Sequence, residues 1–390
     1  MRFISERLKD IPTYLFSAQR ARLRELAEKG IDVISLAVGD PVEPTPSHII
    51  DAANQALMDP ANHRYPDPDR RGMPEFRNAV ASWYARRNNV KLDPESEVLC
   101  LNGSKEGIHY AVMALVNEGD AVLITNPGYP GHRVNILLAG AVPYDVPILE
   151  RNGYIPDIEG IPEDLCRKAK LFFLNYPNNP TGACADEGFF KSLVSWAKKY
   201  DIILVNDNPY SEFVYEDGVK ISMLKVPGAK DIGIEFNSLS KAYNMTGWRI
   251  GMAVGNREII EAMSRFQQNV SSGVFNVLQF AGKKALDDGD PDIDSMLSVY
   301  SARRKMALAE LENAGIQHVK STGTLYLWAP VPDGFKSEEF STYLLENAHV
   351  LITPGTAYGR YGEGYFRISL TVSDDNLTEA FRRIRQALKK

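Results

Sequence analysis

The sequence predicts an α/β protein built on a largely parallel sheet, with a smaller α+β domain formed by the two chain ends. Three observations carry that expectation. Short apolar runs alternate with helical patterns through the middle of the chain, polar loops follow five of those runs, and the alternation stops near Asp292. Strands alternating with helices are the mark of an open α/β sheet.

The strand candidates are Val98–Leu101, Ala121–Thr125, Leu171–Asn175, Ile202–Asn206, Ile232–Asn237 and Ile250–Val254. Each is apolar or β-branched throughout, as strands buried on both faces of a sheet are. Amphipathic helical patterns cover Lys105–Val116, Glu187–Lys199 and Arg257–Gln268. Beyond Asp292 come a long helix through Asn313, strands near Gly323–Trp328 and Tyr365–Leu370, and a closing helix Asp375–Lys389. The first 45 residues, with a helical stretch Ala18–Lys29, are expected to pack with that part. The expected division is a large domain over 46–285 and a small one from 1–45 and 286–390. The glycine-rich run Gly359–Gly364 precedes a strand pattern and reads as a turn.

Composition narrows the function. The chain has 390 residues, 44% hydrophobic and 24% charged, enough apolar material for a large core. Lys and Arg number 44 against 50 Asp and Glu, a net charge of −6, which argues against a general electrostatic grip on nucleic acid. No stretch approaches the ~20 apolar residues of a membrane span. The opening Met-Arg-Phe-Ile-Ser-Glu-Arg-Leu-Lys-Asp places charges where a signal peptide needs its apolar stretch. Cys100, Cys166 and Cys184 share no CxxC spacing, and the six histidines form no ligand pattern. The expectation is a cytoplasmic protein without a metal site, a nucleic-acid partner or a membrane partner.

The informative residues fall in the loops. Asn102-Gly103-Ser104-Lys105, Asn126-Pro127-Gly128-Tyr129-Pro130, Tyr176-Pro177-Asn178-Asn179-Pro180-Thr181-Gly182, Asp207-Asn208-Pro209-Tyr210 and Ser238-Leu239-Ser240-Lys241 each follow a strand candidate. Open α/β sheets form their ligand crevice at those carboxyl ends. Lys241 is either a solvated lysine at a helix start or a partly desolvated amine suited to Schiff-base chemistry. Asp207 either caps a turn or holds a pyridine nitrogen protonated, with Tyr210 in reach of the same ring's phenolic oxygen. Ser104 is an ordinary helix cap or part of an anion site at a helix start, and Arg249 can supply a second phosphate contact. Tyr129, between Gly128 and Pro130, offers a face for stacking on a planar ring. Arg367 is a lone cation in an apolar strand, so it needs either an internal acid or a substrate carboxylate.

Taken in order, Asn-Pro-Thr-Gly, Asp-x-x-Tyr, Ser-x-Ser-Lys and Gly-x-Arg-x-Gly resemble the fold type I pyridoxal-phosphate aminotransferases of class I/II, over nearly the whole chain. The resemblance implies a mostly parallel seven-stranded sheet flanked by helices. It implies pyridoxal 5′-phosphate held covalently by Lys241, which also shuttles the proton. Asp207 would pair with the pyridine nitrogen, and Tyr210 and Asn179 with the ring's 3′-oxygen. Ser104, Lys105, Ser238, Ser240 and Arg249 would surround the phosphate, and Tyr129 would stack on the ring. Tyr65 would reach the phosphate of a partner subunit, which implies a homodimer with shared sites. Gly39 and Arg367 would hold the substrate's α-carboxylate.

Within the family the chain is most similar to the LL-diaminopimelate aminotransferase-like branch. The stretches that carry this are Pro12-Thr13-Tyr14-Leu15-Phe16, Asn102–Gly107 and Ser240–Arg249. In that branch the early tyrosine, here Tyr14, closes over the substrate. The segment Pro66-Asp67-Pro68-Asp69-Arg70-Arg71-Gly72 departs from the branch pattern, with Arg70 and Arg71 read as solvated or as partners for a side-chain carboxylate. The expected reaction is transfer of an amino group from an amino acid to a 2-oxo acid such as 2-oxoglutarate. Aminotransferases for aspartate, alanine or other amino acids, and a C–S β-lyase of the same fold, are the alternatives.

Overall fold

The computed structural model describes residues 3–12, 15–67 and 71–389. Its strands, in chain order, are β1 (Ile34–Ser35), β2 (Val98–Leu101), β3 (Ala121–Asn126), β4 (Val142–Pro147), β5 (Ala169–Leu174), β6 (Ile203–Asp207), β7 (Gly233–Ser238), β8 (Gly251–Gly255), β9 (Tyr326–Pro330), β10 (Val350–Leu351), β11 (Thr353–Pro354) and β12 (Tyr365–Ser369). β2 to β8 form a seven-stranded sheet in the order β2-β8-β7-β6-β5-β3-β4.

Alternate residues of these strands feed two cores. Cys100, Leu123, Phe172, Leu174, Leu204 and Met252 belong to one. Leu101, Val122, Ile124, Phe173, Val205 and Phe236 belong to the other. Both faces are therefore covered, which is why the strands read as continuous apolar runs. β4 escaped that reading. It lies at the sheet edge, its exposed and half-buried positions alternate, and it carries Pro143 and Pro147, which an edge strand tolerates.

β8 runs antiparallel to both β2 and β7, with Ser238 opposite Gly251. The physical reason is the connection: residues 239–250 turn back at the end where β7 finishes instead of crossing over the sheet. This wide hairpin holds Lys241 and Arg249 at the carboxyl end of β7, beside the end of β6.

A third core joins Ile34 and Leu36 to residues from Met296 to Ala387, and it also takes in Tyr210, Phe213 and Tyr215 from the segment after β6. β1 pairs in parallel with β10, Ile34 opposite Val350. β11, β12 and β9 form an antiparallel sheet in which Arg367 faces Thr353 and Trp328. The helix Asp290–Asn313 links the cores: Ile293 packs in the first, and Met296, Tyr300, Ala307 and Leu311 in the third. Helices Ser47–Leu57, Pro74–Asn88, Asn276–Asp288 and Ser337–Asn347 were not delimited by the periodicity. No described helix is long and apolar enough to cross a membrane.

Candidate active site

The carboxyl ends of β2, β3, β5, β6 and β7 face the loop after β1 and the sheet that carries Arg367. Between them lies a cavity of about 450 Å³. Each wall is held by local chemistry of its own.

After β2, Gly103 turns the chain with φ +86 into the helix Ser104–Leu115, so Gly103 takes the cap position and Ser104 is the first helical residue. A Cβ on Gly103 would sit 2.5 Å from Arg249 Nη2, so glycine serves the backbone and admits the guanidinium as well. The Glu106 carboxylate accepts from the backbone N–H and the side-chain amide of Asn102, which locks the turn. The helix start, Ser104, Lys105 and Arg249 thus line one end of the cavity. Backbone N–H groups, the dipole and two cations make that end an anion site.

After β3, helix Pro130–Leu138 carries His132 to Asp207. A Cβ on Gly131 would meet the Tyr129 ring at 2.4 Å, so the absence of a side chain there lets Tyr129 fold over its own helix. His132 stacks on Phe173 with ring centres 4.9 Å apart, and its Nε2 lies 3.2 Å from Asp207 Oδ2. Asp207 Oδ1 is buried and has no hydrogen-bond partner. A buried carboxylate oxygen without a donor is costly, so this one is built for a ligand donor.

The loop after β5 is knit by its asparagines. Asn178 Oδ1 accepts from the N–H and hydroxyl of Thr181, and Asn175 Oδ1 accepts from the Asn179 N–H. Asn175 also donates to the carbonyl of Asp207, which ties this loop to the end of β6. Asn179 is left with its side-chain oxygen facing Arg367, whose Nη1 donates to it at 2.8 Å.

Lys241 lies on the one-turn helix Leu239–Ala242, whose start is capped when Ser238 Oγ accepts from the Ser240 N–H. Its Nζ donates to the Gly39 carbonyl at 2.5 Å. Burial pushes its pKa below the ordinary lysine value, and the nearby Arg249 and Arg367 push it the same way against Tyr326 and Asp40. The amine is therefore disposed toward its neutral, nucleophilic form.

Arg367 is 1% exposed. Its guanidinium donates to Asn179 and to the Ala37 carbonyl and lies over the Tyr326 ring at 3.9 Å, while its Nε has no partner. Among the described residues no acid pairs with it, which overturns the internal salt bridge as an account of its burial.

Gly39, Ser104, Lys105, Tyr129, Asn179, Asp207, Tyr210, Ser238, Ser240, Lys241, Arg249 and Arg367 all line this one cavity. Tyr65 does not. It is 88% exposed, beside His63, Pro66, Ser272 and Phe275 on another surface. Tyr14 and Arg70 lie outside the described residues. Arg71 forms an ion pair with Glu261 and is not part of the cavity. Sequence reasoning missed Asp40, Asn175, Thr246 and Tyr326, which line the cavity, and His132, which contacts Asp207. His132 carried a weak signal, three residues after Tyr129 in a loop already suspected; Tyr326 carried none. Among the described residues no cluster of three or more His, Cys, Asp or Glu can hold a metal ion.

Comparisons with known proteins place the whole chain in one family. Residues 31–384 match the family described as aminotransferase class I and II. The chain is 49% identical over 381 residues to LL-diaminopimelate aminotransferase of Aquifex aeolicus, covering 98% of each chain. It is 46% identical over 386 residues to that of Moorella thermoacetica, covering 99% of this chain and 98% of that one. Among solved structures, substrate-bound BacF of Bacillus subtilis superposes with a TM-score of 0.95 at 39% identity, covering 99% of this chain and 98% of that one.

Proposed function

The chain belongs to the class I and II aminotransferases, and from that premise we propose that it moves the amino group of LL-diaminopimelate onto 2-oxoglutarate. The substrate rests on the relatives, among them the Aquifex and Moorella enzymes and that of Halothermothrix orenii at 44% identity. The chemistry rests on the cavity. The observation that carries it is a half-buried amine, Lys241, with a lowered pKa, sharing one cavity with a buried carboxylate oxygen, Asp207 Oδ1, that has no donor.

Pyridoxal phosphate, the cofactor that the family implies, fits this cavity. Lys241 would hold it, Asp207 Oδ1 would accept from its ring nitrogen, and Tyr210 and Asn179 would meet its phenolic oxygen. Tyr129 would lie against the ring, with Ser104, Lys105, Ser238, Ser240 and Arg249 around the phosphate. The bound cofactor supplies an electron sink for the bond broken at the substrate's Cα.

The chain's own residues do the rest. Arg367 receives the substrate's α-carboxylate: its Nε lacks a partner, and Asn179 and Ala37 already fix the plane of its guanidinium. Gly39, which lines the same cavity, would hold that carboxylate with it. Lys241 Nζ, once free, moves a proton from the substrate's Cα. His132 holds Asp207 Oδ2 and so aims Oδ1 into the cavity. Tyr14 would close over the substrate, and Tyr65 would serve the site of a second subunit in a homodimer. In this reading residues 46–285 form the cofactor-holding domain, and 1–45 with 286–390 the smaller one.

The test is a panel assay on protein loaded with pyridoxal phosphate. Glutamate formation from 2-oxoglutarate is followed with LL-diaminopimelate, aspartate, alanine, methionine and phenylalanine, with ammonia read in parallel. A dominant diaminopimelate rate is expected. Glutamate from other donors alone would replace the substrate, and ammonia without glutamate would replace transamination by a lyase reaction.

A further inference from the structure

Tyr326, on β9, is 4% exposed, and it touches three parts of the cavity at once. Its ring lies under the Arg367 guanidinium, with 3.9 Å between the guanidinium carbon and the ring centre. Its hydroxyl lies 3.0 Å from the Tyr210 hydroxyl. A Cβ on Gly39 would fall 2.0 Å from the same hydroxyl, so the missing side chain at Gly39 is what lets the phenol reach Tyr210.

The two hydroxyls hold two protons and share one hydrogen bond, and among the described residues neither has another partner. One proton is therefore spent between them and the other is left for a ligand. Which phenol donates decides where the second proton points. A cation above the Tyr326 ring draws electron density from it and makes its O–H the stronger donor. Burial, with the neighbouring Tyr326, raises the Tyr210 pKa well above the usual value, so Tyr210 holds its proton firmly. Tyr210 therefore accepts from Tyr326 and keeps its own proton for the cavity.

We propose that Tyr326 is a positioning residue: its hydroxyl donates to Tyr210, aiming the Tyr210 proton at the cofactor's phenolic oxygen, and its ring seats the Arg367 fork. The proposal rests on the roles given above to Tyr210 and Arg367. It separates two duties of one side chain, the hydroxyl acting through Tyr210 and the ring acting through Arg367.

The experiment uses holoenzyme loaded with pyridoxal phosphate and titrates the cofactor's visible absorption band with pH in Tyr326→Phe, Tyr210→Phe and the double variant. A hydrogen bond donated to the phenolic oxygen stabilises negative charge there, so weakening that donor raises the midpoint. Tyr326→Phe is expected to raise it by ~0.5–1 pH unit, the weight of one hydrogen bond. Tyr210→Phe is expected to raise it further, and the double variant to match Tyr210→Phe alone. Tyr326→Phe should leave KM for the amino acid within about twofold, whereas Tyr326→Leu should raise it ~5–10-fold by removing the ring under Arg367.

An unchanged midpoint in Tyr326→Phe with a shifted one in Tyr210→Phe overturns the proposal and spares the role of Tyr210. Unchanged midpoints in both overturn the role of Tyr210 and the proposal with it. Additive shifts in the double variant show that Tyr326 does not act through Tyr210 and also overturn the proposal. If Tyr326→Phe does not load, Gly39→Ala displaces the same hydroxyl and must raise the midpoint; no shift there refutes the donor role.

Discussion

Lys241 and Arg367 are basic side chains facing the same cavity, the first half-buried and the second buried, and their surroundings give them different work. The Lys241 amine is driven toward its neutral form by burial, so in the protein a larger fraction is neutral at pH 8 than in a free lysine. The rate at which the apoprotein takes up pyridoxal phosphate should level off at a pH below ~10.4, the ordinary lysine value. A rate still rising through that value would show that the amine is not desolvated in solution. Lys241→Ala should abolish transamination. The Arg367 fork is fixed in place by Asn179 and Ala37. Arg367→Ala should raise KM for the amino acid ~10–100-fold, in line with the loss of charged hydrogen bonds, with kcat falling less. Steady-state kinetics on both half-reactions decide it.

The element that matters most is the strand-to-helix turn at Gly103. Two glycines make a controlled comparison. Gly103→Ala meets both a positive φ and the Arg249 guanidinium at 2.5 Å, while Gly119→Ala meets a similar φ of +84 with nothing within 4 Å. Each should cost ~1–3 kcal/mol of stability from the positive-φ backbone, which at Gly103 pairs φ 86 with ψ 160. Only Gly103→Ala should also weaken cofactor binding, because it displaces Arg249. Thermal unfolding and cofactor titration of the two variants separate the effects. The hairpin 239–250 is the second such element. Because β8 runs back beside β7, one short connection delivers both Lys241 and Arg249 to the same cavity.

At the scale of the whole molecule, Tyr65 is the residue without a place in its own subunit's cavity, exposed on a surface shared with His63, Pro66 and Phe275. The proposed homodimer gives it one. Mixing Lys241→Ala subunits with Tyr65→Ala subunits should then produce dimers in which one site is doubly altered and the other is intact. Activity should return on mixing. If it does not, while sedimentation shows that mixed dimers form, Tyr65 does not act across the interface. The diaminopimelate assay belongs at this scale too, since selectivity among amino donors depends on loops from distant parts of the chain.

Most strands of the large sheet were legible in the sequence, and of the residues expected to meet the cofactor all but Tyr65 line the one cavity. Burial on both faces writes a strand as a continuous apolar run, and the polar residues that interrupt it at the carboxyl end stand out, as Asp207 and Ser238 do. Helix Pro74–Asn88 was not legible because Phe76, Arg77, Ala79, Val80, Trp83 and Tyr84 are buried around much of its circumference, which erases a one-sided period. The edge strand β4 was not legible because its prolines and exposed positions mimic a loop. The sequence by itself determined the order of chemical parts: the amine, the carboxylate, the anion-binding turn and the lone arginine. Only the tertiary structure decided what surrounds them. His132 reaches Asp207 from 75 residues away and Tyr326 reaches Tyr210 from 116. Contacts between side chains so far apart in the chain leave no local period or spacing, because they exist only once separate elements have packed.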